Sequence, residues 1–252
     1  MSDIRARHAT EKEIAYLREA SSMLRLPTST WATGVVLFHR YCEFTYQQNT
    51  IEPLNTHICL ILCLYLATKV TEEPRKQQDM INVGYKLAHP TIETHPVGDH
   101  LEALRNTMTK SELVLMRILG FDMYVELPHV WISYIFHGMG WCKNSGIPSN
   151  NTEDLDPHVK RIADTAYTTA NKVVEAALVD YTSARVIAAA CIVIAMDIHR
   201  ERLPARNLDE WAYVWAKASG SYVKDIRRLI EDRADLTNLY DNVEPVPSCQ
   251  AE

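Results

Sequence analysis

Apolar residues recur along this chain at steps of three and four, the spacing of one face of a helix. Ile14, Leu17, Ser21 and Leu24 form the first such stripe, and Pro27 closes it. Thr28, Ser29 and Thr30 are N-cap candidates for a second helix carrying Trp31, Val35, Phe38 and Cys42 on one stripe. Pro53 stands near the start of a third, which runs to about Val70. Its segment Ile58–Ala67, ICLILCLYLA, is apolar on every side and predicts a helix in the middle of a bundle. A polar stretch with Pro74 leads to a short helix over 78–88, and the prolines and glycine of 89–100 read as a loop. A long helix then runs to about Gly120 with Leu101, Leu104, Met108, Leu115 and Leu119 along one face. Pro128 opens another, ending near Gly138–Gly140.

Residues 141–156 are polar and rich in asparagine, with glycine and proline among them, and predict a linker. After it the logic repeats. Asp156-Pro157 is a cap followed by proline at the first helical position, and Val159, Ile162, Ala166, Ala170, Val173 and Ala177 make one stripe. Thr182 or Ser183 caps a helix whose segment Val186–Met196, VIAAACIVIAM, is again apolar all round. Short helices around Trp211–Ala218 and Tyr222–Arg233 follow, and no segment alternates with period two. The pattern predicts an all-α chain of two lobes, each wrapped around one fully apolar helix: residues 10–140, a linker at 141–156, residues 157–240, and a tail at 241–252.

Composition narrows the function. Eight glycines in 252 residues is about 3 %, against an average near 7 %. Neither GxGxxG nor GxxxxGK[ST] occurs, so no loop lets successive backbone N–H groups cradle a phosphate. A formal charge of −6 and a pI near 5.9 argue against a dedicated nucleic-acid binder. The longest apolar runs, Ile58–Ala67 and Val186–Met196, fall short of the roughly 18 residues of a membrane helix. The opening MSDIRARHATEKE has no apolar stretch to act as a signal peptide, so the six cysteines read as reduced thiols of the cytosol or nucleus. Cys249 stands fourth from the end, but Gln250, Ala251 and Glu252 fit a prenylation motif poorly.

Catalytic and metal-binding patterns are equally thin. Cys59 and Cys63 lie one turn apart with His57 nearby, but on an all-apolar helix they read as core. The one Glu-x-x-His pair, Glu126 and His129, has Pro128 inside it, where a di-iron bundle needs an unbroken helix. His89, His95 and His100 share a proline-containing stretch that fits a turn. No catalytic residue, metal site, cofactor or small-molecule substrate is expected.

Two charges stand in unusual places. Glu112 continues the series 101, 104, 108, 112, 115, 119, so it shares a face that should be packed. A buried carboxylate must be paired, protonated or opened to a groove. Lys69 is the first charge after the apolar third helix, where a lysine also simply snorkels out at a helix C-terminus.

The blocks RLPTSTWATGVVLFHRY (25–41), LYLATKVTEE (64–73) and SELVLMRILGFDMYVELPH (111–129) resemble the cyclin box of transcription-type cyclins. With DMINV (79–83), the likeness is closest to cyclins L and Q (also called M), and the short chain favours the Q type. The resemblance covers 10–136 well and 155–240 more weakly. It implies two tandem cyclin folds of five helices, the first binding a cyclin-dependent kinase as a non-catalytic activating subunit. It also implies that Lys69 and Glu112 contact the kinase near its C-helix, with apolar contacts from Leu66, Val70, Phe121 and Met123. Nuclear localisation, possible cytoplasmic residence, and a role in transcription or the cell cycle follow from the family. Two departures stand out: ATEKE (9–13) lies where cell-cycle cyclins have an MRAIL-type docking patch, and His39-Arg40 replaces their Asp-Arg pair. A cyclin-fold transcription factor of the IIB type, binding DNA and polymerase, and an all-α metalloenzyme are the alternatives.

Overall fold

The structure, a computed structural model, describes residues 8–48, 53–92, 96–141 and 157–233. Among these residues it is helical with no strand. In chain order the helices are α1 (Glu11–Met23), α2 (Thr28–Gln47), α3 (Thr56–Val70), α4 (Gln77–Ala88) and α5 (Gly98–Ile118). Then come α6 (Pro128–Gly138), α7 (Pro157–Glu175), α8 (Ala184–Ile198), α9 (Leu208–Trp211) and α10 (Gly220–Arg233). Between α9 and α10, Ala212–Ala216 form one wide π-type turn.

Two compact units emerge. The first runs to Leu127 and includes Ala177–Asp180; the second comprises Pro128–Ala176 and the chain from Tyr181 onward. The expected limits of 10–140 and 157–240 differ from this grouping in the placement of α6 and of Ala177–Asp180. Residues 142–156 of the expected linker, the tail, Cys249 and His95 lie outside the described residues.

In the first unit α3 is the axis, packed by α1, α2, α4 and α5. Cys59, Leu60, Leu62, Cys63, Leu64, Leu66 and Ala67 are all fully or almost fully buried, as an all-apolar helix requires. Burying each leucine contributes about 1.5–3 kcal/mol relative to exposure. The Asn55 side chain accepts from the His57 and Ile58 N–H groups, satisfying two of the donors left over at the first turn. Gly34 lets α2 lie close: a Cβ there would meet Leu64 Cδ1 at 3.2 Å and the Leu64 Cα at 3.4 Å. Desolvation pushes the Cys59 and Cys42 thiols upward, so these sulfurs behave as small apolar groups.

Local capping departs from expectation at one helix start. Pro27, with extended backbone, is the N-cap of α2, and Thr28 and Ser29 fall in its first turn without a side-chain cap bond. Thr30 instead meets Thr71, as described below. α1 is closed more fully, by a capping box between Thr10 and Glu13.

The second unit repeats the scheme. α8 is its axis, buried from Val186 to Met196 and packed by α6, α7, α10 and the π-type turn. Trp211, fully buried, donates its indole N–H to the Ala189 carbonyl at 3.3 Å. The expected helix over Trp211–Ala218 is therefore a short α turn followed by a π turn, ended by Lys217 with φ of 51°. His129 is buried beside Tyr167 and its Nε2 donates to Asn171 Oδ1 at 2.8 Å.

Burial lowers the His129 pKa, only partly offset by the Asn171 hydrogen bond. The unfolded chain takes up that proton near the ordinary value of about 6.5, whereas the folded chain resists until lower pH. Stability is therefore full above about pH 6.5 and falls as pH drops through the folded value. Melting temperature should decline on going from about pH 7.5 to about pH 5.5, and the decline should be shallower in His129→Gln. An equal slope in the two proteins would assign the acid sensitivity to other groups.

Candidate functional site

The last turn of α3 is fixed from three sides. Thr71 donates its hydroxyl hydrogen to the Ala67 carbonyl at 2.8 Å and so accepts from Thr30, also at 2.8 Å, tying the end of α3 to the start of α2. The Glu73 N–H reaches back to the Thr68 carbonyl at 2.9 Å around Glu72, which has φ of 56°. Arg75 donates to the Leu24 and Arg25 carbonyls at 3.3 and 3.2 Å, anchoring the following segment to the end of α1.

On this platform Lys69 turns across to α5 and ion-pairs with Glu112. The Lys69 ammonium also sits 4.2 Å from the centre of the Tyr65 ring. Lys69 is 44 % exposed and Glu112 13 %, so the carboxylate is largely buried while the ammonium stays at the surface. Two charges singled out separately by their places on apolar stripes are thus each other's partner.

The end of α5 presents the apolar part of the face. Gly120 and Phe121 both take left-handed backbone, with φ of 62° and 59°. The Phe121 N–H closes the helix onto the Met116 carbonyl at 2.9 Å. A left-handed conformation costs a residue with a side chain about 1–2 kcal/mol. Phe121 accepts that cost and is still 64 % exposed, so its ring recovers little by burial within the chain. A strained, outward aromatic is a feature that folding alone does not explain. Val70 is also exposed, and Met123 is half-buried. Leu66 is different: at 2 % exposure it belongs to the core beneath Lys69. Leu113 and Val114, exposed at 53 % and 42 % beside Glu112, were not expected from the stripe; their signal is two apolar residues in a row on the outer side of α5.

Residues 3–124 match the family described as cyclin, N-terminal domain. Residues 3–124 are thus a cyclin N-terminal domain. Mouse Cyclin-L2 is 35 % identical over 117 residues, 45 % of this chain and 22 % of that protein. Chicken Cyclin-L1 is likewise 35 % identical over 45 % of this chain and 21 % of its own length. The chain thus spans about a fifth of the cyclin-L relatives it matches. A cyclin-T-like protein of Arabidopsis thaliana is 27 % identical over 78 % of this chain and 71 % of its own. These relatives fit a transcription-type cyclin close to cyclin L. A chain of the crystal structure of the yeast RNA Pol II CTD kinase CTDK-1 complex superposes with a TM-score of 0.67 over 94 % of this chain and 72 % of that one, at 18 % identity. At that identity the likeness is one of fold: two tandem five-helix cyclin folds, each around a buried apolar helix.

Other clusters in the chain lie away from the ion-paired face. His57, His89 and His100 border an apolar cavity of about 470 Å³, with Ile61 and Leu104 in its wall. From the start of α3 the cavity takes in His57, Ile58 and Ile61, with the N-cap Asn55, toward the end opposite Lys69. Among the described residues no group of three or more histidine, cysteine or acidic side chains is placed to hold a metal ion. No helix of the described residues is long and apolar enough to cross a membrane.

An ion pair whose ammonium stays at the surface contributes little to folding, typically 0.2–1 kcal/mol. Replacing both partners at once, Lys69→Met with Glu112→Gln, leaves no unpaired buried charge and should shift the denaturant-derived stability by less than about 1 kcal/mol. Phe121→Gly should stay within about 0.5 kcal/mol of the parent, because relief of the left-handed backbone offsets the added freedom of the unfolded chain. Losses of several kcal/mol in either variant would make these side chains structural rather than displayed.

Proposed function

We propose that this chain is the regulatory, non-catalytic subunit of a cyclin-dependent protein kinase, and that the Lys69–Glu112 pair with its apolar surround receives the kinase. The cyclin N-terminal domain and the fold shared with a chain of a kinase complex support the partnership. The single observation that carries the site is the preformed Lys69–Glu112 ion pair between α3 and α5, with a strained exposed phenylalanine just beyond the end of α5. Val70, Phe121 and Met123 supply apolar contact, and Leu66 holds the turn of α3 from beneath. Leu113 and Val114 are further exposed apolar side chains on α5.

The mechanism is a shift of population in the partner. Such a kinase alone holds its C-helix outward, so the glutamate of that helix does not meet the lysine that orients ATP phosphates. A cyclin that binds the inward form more tightly moves the equilibrium; going from 1:99 to 99:1 requires about 5.5 kcal/mol of differential binding. A few buried apolar anchors and a charge pair desolvated in the interface supply energies of that size. The ion pair arrives ready-made, so little ordering of long side chains remains to be done on docking. Relatives of the L and T types support a role in transcription, and we assign the complex to the nucleus on the same ground.

The decisive contrast is between stability and binding. A charge pair worth under about 1 kcal/mol at the surface becomes costly to break once covered, about 2–5 kcal/mol, because the remaining charge is left without its partner. Lys69→Glu and Glu112→Ala should sharply reduce the cyclin-dependent kinase recovered with the tagged chain and quantified by mass spectrometry, while far-UV circular dichroism stays helical. Undiminished recovery with both variants would remove this face as the kinase site.

A further inference from the structure

Arg40 makes a set of bonds that the kinase reading does not use. It lies on α2, between His39 and Tyr41, both buried, so its origin is rigid. Its Nε donates to both carboxylate oxygens of Asp180, at 3.0 and 3.1 Å, and its Nη2 donates to Asp180 Oδ1 at 2.6 Å. The remaining arm, Nη1, donates to the Asp122 carbonyl at 3.2 Å and the Tyr124 carbonyl at 3.0 Å. One guanidinium thus binds a carboxylate side-on and two backbone carbonyls end-on, a pattern that its planar fork allows and an ammonium does not.

The two carbonyls belong to the segment that follows the left-handed Phe121. That segment has no helix or sheet ladder, so its backbone course depends on such cross-links. Asp122 and Tyr124 flank Met123 and directly follow Phe121, so bonding both carbonyls sets where these two side chains point. Asp180 supplies the opposite requirement: it neutralises the guanidinium and prevents it from swinging away from the carbonyls. Both residues are about a quarter exposed, so the bonds are only partly screened by water.

We infer that Arg40, held by Asp180, is a positioning residue that fixes the display of Phe121 and Met123 for the partner. It touches no kinase atom itself; it sets the geometry of the residues that do. The inference rests on the kinase-binding reading above, and the test separates the two. The probe is the kinase that copurifies with the parent chain, expressed and titrated against each variant. Arg40→Lys keeps the charge but cannot hold the carboxylate and both carbonyls together, and should weaken kinase affinity by about tenfold. A residue acting through Phe121 loses its effect once that ring is gone. In a Phe121→Ala background, Arg40→Lys should therefore change affinity by less than about twofold, a non-additivity that a general loss of stability would not produce. Asp180→Asn carries the same test where Arg40→Lys folds poorly. It should also speed hydrogen exchange at the Phe121 and Asp122 amides of the free chain.

Parent-like affinity for Arg40→Lys, or a loss that adds in full to that of Phe121→Ala, would overturn the positioning role while leaving the kinase site intact. Unchanged exchange at those two amides in Asp180→Asn would overturn it as well. Parent-like affinity for Phe121→Ala alone would instead count against the kinase-binding face.

Discussion

The α3 helix has no polar face, and most of the first unit follows from that. A helix apolar all round is stable in water only when other helices close on every side of it, and α1, α2, α4 and α5 do so. Closure is tight enough that Gly34 allows α2 to approach the Leu64 backbone. A core packed to that density does not shift easily, so the last turn of α3 emerges at a defined place beside α5. The burial that stabilises the unit is also what aims Lys69 at Glu112.

The proposed kinase-binding face differs in kind from the core beneath it. The ammonium of its ion pair stays at the surface, Phe121 holds an unfavourable backbone conformation, and Leu113 and Val114 face outward. Each is a poor contribution to folding and a reasonable one to recognition, since aromatic and apolar groups gain most when a partner removes them from water. Stability is concentrated on α3 and α8, and the surface at the ends of α3 and α5 is left available. That division lets a regulatory subunit present an unsatisfied surface and still remain folded alone.

Much of this was legible in the sequence, for stated reasons. The segments at 58–67 and 186–196 lack a polar side, and only a central position satisfies such helices, so the two-lobed helical plan followed. Glu112 was conspicuous because a carboxylate interrupts an apolar stripe, and Lys69 because it ends an apolar run. Their mutual pairing was not legible, since it depends on how α3 and α5 cross. The burial of Leu66 was likewise set by packing: a position chosen for contact lies beneath the surface. The wide turn at 212–216 and the left-handed Phe121 depend on local backbone choices that hydrophobic periodicity does not encode. Arg40 passed as half of a substituted pair, because its partner Asp180 stands 140 residues away.

Hydrogen exchange on the free chain and on its complex with the copurifying kinase tests the proposed face most directly. Amides over 66–73 and 111–124 should exchange more slowly in the complex, with those along the buried part of α8 unchanged. Unaltered exchange in both segments, with protection confined to the second unit, would contradict a kinase-binding surface at the ends of α3 and α5.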